Sequence, residues 1–70
     1  MKYAVVIERS ETGFGAYVPD LPGCVAVGET LEETEALIRE AVEFHLEGLH
    51  QDGVFVPEPT ARAEYIEVIG

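Results

Sequence analysis

Apolar and polar positions alternate at the start of the chain and then change period. Residues 2–9 read Lys-Tyr-Ala-Val-Val-Ile-Glu-Arg, a β-branched run that predicts a strand, and Ser10-Glu11-Thr12-Gly13 supplies a hairpin turn. Residues 14–18 form the partner strand. By the two-residue period, Phe14, Ala16 and Val18 share one face of it. Tyr3, Val5 and Ile7 share one face of the first strand, so the two rows can bury together. Pro19 cannot donate to a ladder and ends the second strand.

Residues 19–23, Pro-Asp-Leu-Pro-Gly, make a rigid turn: each proline fixes its own φ, and Gly23 accepts a positive one. A third strand over residues 24–27 is stopped by Gly28. Thr30-Leu31-Glu32-Glu33 is a capping-box signature in which Thr30 accepts the Glu33 amide, and the period changes there to that of a helix. Leu31, Thr34, Leu37, Ile38, Ala41, Val42, Phe44, His45, Leu46, Gly48 and Leu49 project to an apolar side, while Glu32, Glu33, Arg39, Glu40, Glu43, Glu47 and His50 project to a polar one. Asp52-Gly53 ends the helix. Residues 54–56 are too short for a firm element, and Pro57-Glu58-Pro59 makes the stretch a crossing loop. Residues 65–69, Tyr-Ile-Glu-Val-Ile, read as a last strand. The order β-β-β-α-β predicts an α+β fold, an antiparallel three-stranded meander with one helix on one face and a C-terminal strand.

Length and charge narrow the function. Seventy residues make one domain, 1–70, with a small core, and a domain of this size gains from self-association. Hydrophobic residues at 47% exclude a disordered acidic tail. The formal charge of −10 repels phosphate, and Lys2, Arg9, Arg39 and Arg62 stand singly. Nucleic-acid and anionic-membrane binding need clustered cations, so the expected partner is a basic protein. Cys24 is the only cysteine, which fits a reducing cytoplasm, and the apolar run of residues 3–7 is too short for a signal peptide or a membrane span.

No catalytic set is recognisable. Cys24 with His45 or His50 is the only candidate pairing of an activated nucleophile with a base, but a lone cysteine at a strand start behaves as a small buried hydrophobe, and His50 falls on the polar face. His45 lies on the apolar side and reads as a core or interface histidine. Glu8, Asp20, Glu40 and Glu43 have the number for a two-metal site without the spacing, and Arg39 is placed to pair with Glu35 or Glu43. Thr12-Gly13-Phe14-Gly15 lacks the lysine of a phosphate loop. The expectation is an absence of catalytic, cofactor and metal residues.

The runs Tyr3-Ala4-Val5-Val6-Ile7-Glu8, Gly13 through Val18 followed by Pro19-Asp20-Leu21-Pro22-Gly23-Cys24, and Gly28-Glu29-Thr30-Leu31-Glu32-Glu33 together resemble HicB-type antitoxin domains along almost the whole chain. The resemblance implies a degenerate ribonuclease-H-like fold that lacks the acidic metal set and has no nuclease activity. It also implies a partner, a small basic HicA-type mRNA interferase neutralised by covering its RNA-facing surface. Many members carry a C-terminal DNA-binding segment; this chain reaches Gly70 soon after the last expected strand, so direct DNA binding is not expected. In that role Glu32, Glu40, Glu43 and Glu47 would steer the encounter, and Tyr17 with the turn residues Asp20, Leu21 and Pro22 would be the exposed anchors. A homodimer through residues 65–69 is also expected, and the alternative function is that of a stand-alone dimeric interaction module.

Overall fold

Two columns of paired residues decide how the sheet is used. The computed structural model describes residues 1–69 and orders them as β1 (Val6–Arg9), β2 (Phe14–Tyr17), β3 (Val25–Gly28) and α1 (Leu31–Gln51). The strands form one antiparallel sheet in the order β1-β2-β3. Ile7, Ala16 and Ala26 stand side by side in register, a column with two alanines that lets the helix approach closely. Their neighbours Val6, Tyr17 and Val25 form the next column and point to the opposite face. The expected pairing of the Tyr3-Val5-Ile7 row with the core is observed, although β1 itself begins only at Val6.

The third strand is shifted by one residue from its expected place. Cys24 belongs to the preceding turn, and Gly28 pairs with Phe14 inside the sheet. Glycine is required at Gly28, because a Cβ there would collide with the Thr34 hydroxyl and lie 3.0 Å from the Thr34 amide nitrogen. Thr34 is fully buried, and its hydroxyl donates to the Thr30 carbonyl at 2.8 Å, so the closest approach of helix and sheet leaves no polar atom unpartnered.

The helix begins as the sequence predicts. Thr30 is extended (φ −123°, ψ 163°), and its Oγ1 accepts the Glu33 N–H at 3.1 Å. At the other end Gly53 takes φ +70°; its N–H donates to His50 O at 3.2 Å while the Val54 N–H donates to Leu49 O at 2.9 Å, a Schellman cap. The helix lies over β3 and β2 and not over β1. Thr34 and Ile38 are its buried residues. Phe44, expected on the apolar side, is 80% exposed. It stands roughly 100° round the helix from the direction shared by Thr34 and Ile38, which places it at the edge of the polar face.

The C-terminal strand is not formed. Residues 54–69 have no regular structure, and Tyr65, Ile66, Val68 and Ile69 are each 80% exposed or more. The crossing loop is observed: the Tyr3 hydroxyl donates to the Pro57 carbonyl as the chain passes the start of the sheet. Beyond it the chain is tied to Asp20 and then leaves the body. The radius of gyration is 13.7 Å; a compact chain of this length has about 11 Å.

Candidate partner-binding surface

The run from Val18 to Cys24 is a double turn. Leu21 N–H donates to Val18 O at 3.1 Å with Pro19 and Asp20 at its corners, and Cys24 N–H donates to Leu21 O at 3.0 Å with Pro22 and Gly23 at the next. Gly23 has φ +85°, the value a type II turn demands after a proline. Val18 N–H donates to Cys24 O at 3.2 Å and closes the loop. The result points Leu21 inward, where it is fully buried against a core of Ala16, Val18, Cys24 and Ile38. Leu21 is therefore not an exposed anchor, contrary to the sequence expectation: the two turns rotate the residue between them into the core.

Asp20 is also committed within the chain. Its Oδ2 accepts the N–H groups of Thr60 at 2.9 Å and Ala61 at 3.0 Å, and its Oδ1 accepts the Thr60 hydroxyl at 2.7 Å. The Ala61 amide first, then the Thr60 hydroxyl, hold this carboxyl below its ordinary range, because each bond favours the ionised form. Pro22 remains exposed. Tyr17 is 43% exposed on the sheet face away from the helix, beside the exposed Val25 and Val27. Gly15 opens a notch in the same face, since a Cβ there would meet nothing within 4 Å.

Glu32, Glu40, Glu43 and Glu47 are all exposed on α1. At 100° per residue they occupy a stripe roughly 80° wide whose centre faces directly away from the sheet. The expected ion pair of Arg39 with Glu35 or Glu43 does not form; among the described residues the one pair within 4.0 Å is Arg62 with Glu64, at 3.7 Å. The Gln51 amide donates to Glu47 at 3.3 Å. Exposed Phe44 flanks the stripe, with Glu40 one turn before it and Glu47 one turn after. The expected site thus separates into an acidic helix face with Phe44 and, behind the sheet, an apolar face with Tyr17. Val25, Val27 and Phe44 were not singled out as surface groups from the sequence. The signal for Phe44 is its angular offset from Ile38. The signal for Val25 and Val27 is the alternation that buries Ala26 in part between them.

Cys24 is buried, and burial pushes its thiol up, which disfavours the nucleophilic thiolate. His45 is half-buried. Among the described residues no group of three or more His, Cys, Asp and Glu is gathered to hold a metal ion, and no helix is long and apolar enough to cross a membrane.

Known proteins resemble this chain in sequence and in fold. A protein of unknown role from the rep-hol intergenic region of Haemophilus phage HP1 is 38% identical over 66 residues, covering 94% of this chain and 50% of its own length. Antitoxin HicB 2 of Photorhabdus laumondii is 32% identical over 69 residues, covering 97% of this chain and 50% of its own. The chain spans half the length of each of these two relatives. A chain of the solved HicA3 and HicB3 toxin-antitoxin complex superposes with a TM-score of 0.73 at 32% identity, over 86% of this chain and 70% of that one. The family described as the HicB-like antitoxin of bacterial toxin-antitoxin systems matches residues 3–68, and the chain belongs to it.

Proposed function

We infer that this chain is a non-enzymatic antitoxin domain that binds a small basic HicA-type mRNA interferase and neutralises it by covering the surface that holds RNA. The observation that carries the reading is the acidic stripe of Glu32, Glu40, Glu43 and Glu47, turned to solvent with no cation within ion-pair distance among the described residues. An RNA-binding protein presents cations in the pattern of a phosphate backbone, and a row of carboxylates on a rigid helix competes for them. Membership of the HicB-like family and likeness to a chain of a HicA–HicB complex support the partner.

Steering and holding separate by chemistry. Exposed carboxylates raise the encounter rate and are screened beyond about 8 Å at physiological salt. The lasting contact needs a desolvated anchor, and Phe44 stands in the middle of the stripe's length. Surface-plasmon kinetics with a catalytically silent HicA-type toxin test this. Glu40→Gln with Glu43→Gln should lower the association rate several-fold and flatten its salt dependence, while Phe44→Ala should speed dissociation at least tenfold. Fast dissociation of Tyr17→Ala with a silent Phe44→Ala would place the toxin on the opposite sheet face and overturn the assignment.

A further inference from the structure

We propose that residues 62–69 are an exchanged arm, which adds as a fourth strand to the free edge of β1 in a second copy of this chain, two arms being traded about a two-fold axis. The proposal stands apart from the toxin reading, and its surface shares with the acidic stripe only Glu43, at the border of the two.

The receiving site is built. β1 pairs with β2 on one side only, so among the described residues its other row of N–H and C=O groups has no partner. Because α1 lies over β2 and β3, an open groove of about 870 Å³ remains between its flank and β1. Tyr3, Val5 and Ile7 make the floor; Ile38, Val42 and Leu46 make the wall. Two of the chain's four cations, Lys2 and Arg39, stand at this groove together with Glu35 and Glu43.

The arm matches it. Ile66 and Val68 fall on one face of an extended segment and are both apolar, as a groove-facing row requires. Tyr65 and Ile69 fall on the other, where they would prolong the exposed sheet face of Val6, Tyr17 and Val25. Glu64 falls on the same face as Ile66 and Val68 and brings negative charge toward Lys2 and Arg39.

The arm's root decides between its own chain and a second copy. On its way from the helix the chain accepts the Tyr3 hydroxyl at Pro57, near the start of the sheet, and Asp20 then fixes Thr60 and Ala61 beside the β2–β3 turn. To reach its own β1 edge the arm must reverse within a few residues. Residues 60–69 contain no Gly, Pro, Asn or Asp, the residues that make such reversals. An apolar, exposed arm without the residues that favour a reversal is available to another copy.

Sedimentation of the full chain at high micromolar concentration should show a species of twice 7.6 kDa. Ile66→Glu with Val68→Glu should raise the dimer dissociation constant at least about 100-fold, since two apolar side chains lose their burial, and should leave the circular dichroism of the chain unchanged. Arg39→Cys and Val68→Cys, placed in separate chains and mixed, should form a mixed disulfide between them. Three results would each overturn the proposal: a 7.6 kDa species throughout, a dimer indifferent to the arm substitutions, or a disulfide that closes within one chain when both cysteines are placed in it. Loss of toxin binding with an intact dimer would strike the antitoxin reading alone.

Discussion

The turn over residues 18–24 holds the root of the arm over residues 62–69, at Thr60 and Ala61, through the Asp20 carboxylate, and the two segments use their apolar residues in opposite ways. In the turn, three backbone hydrogen bonds close loops of a few residues, and the one large side chain between them, Leu21, is fully buried. In the arm, four large apolar side chains touch almost nothing. Both segments carry large apolar residues, and what separates them is closure, which the turn's prolines and glycine make possible. Fixing a short loop that proline has already stiffened costs little entropy, so the turn can be ordered by bonds within itself. A lone strand has no bond to make until an edge is offered, and the arm's root is fixed at Asp20, beside the β2–β3 turn and not beside β1.

The sharpest break in this comparison is a truncation on each side of it. Leu21→Ala should cost about 3 kcal/mol, within the range for emptying a fully buried leucine site. For a domain of this size that lowers the melting temperature by roughly 10–20 °C. Thermal circular dichroism checks it. A loss below 1 kcal/mol would mean that the turn collapses around the cavity and that Leu21 is less central than its burial implies.

Much of the body was legible in the sequence because its determinants are local. The strand alternation of Tyr3, Val5 and Ile7, the Thr30 cap, the Gly53 terminus and the positive φ at Gly23 each depend on residues within a few positions of one another. What escaped depends on distance. That Leu21 turns inward follows from two consecutive turns acting together, whereas proline and glycine content alone reads as an exposed corner. The strand propensity of residues 65–69 is real, but propensity does not supply an edge. Phe44 was drawn to the apolar side by its chemistry, although its angle from Ile38 assigns it to the rim. For the candidate surface, the exposed acidic stripe was readable from helical spacing. The burial of Leu21 and the bonding of Asp20 to Thr60 and Ala61 were not, since both depend on contacts within the folded chain.

A smaller effect is expected where the two regions join. The Asp20 carboxyl titrates below its unfolded value of about 3.9, because it accepts three bonds from Thr60 and Ala61 that need the ionised form. A depressed pKa contributes stability at pH above the unfolded value, and that contribution fades as the pH falls through the folded one. Between pH 7 and pH 5 the clamp should therefore be constant, and below about pH 4 it should weaken. Asp20→Asn keeps one accepting oxygen of the two and should loosen the root at neutral pH as well. Hydrogen exchange at the Thr60 and Ala61 amides reads both, after correction for the intrinsic pH dependence of exchange. Equal protection factors at pH 3 and pH 7 would show that the arm is held by something other than this carboxylate.

The smallest effect belongs to the arm itself, and its smallness is the informative part. Ile66→Ser, measured at a concentration where the chain sediments as a monomer, should change the unfolding free energy by no more than about 0.5 kcal/mol, as for surface positions generally. The reason is the reference state. Ile66 is already 82% exposed, so the folded monomer and the unfolded chain offer it nearly the same solvent, and removing its apolar area removes nothing that folding had gained. The same substitution acts fully in any state that buries the residue. Raising the concentration into the dimer range should then separate the variant from the parent chain, with a gap in melting temperature that grows with protein concentration, as mass action requires when only the folded dimer uses the arm. Leu21→Ala should show no such growth, because its cost is paid within one copy at every concentration. An arm variant that destabilises the dilute monomer as much as it destabilises the concentrated protein would mean that residues 65–69 find a partner on their own chain after all.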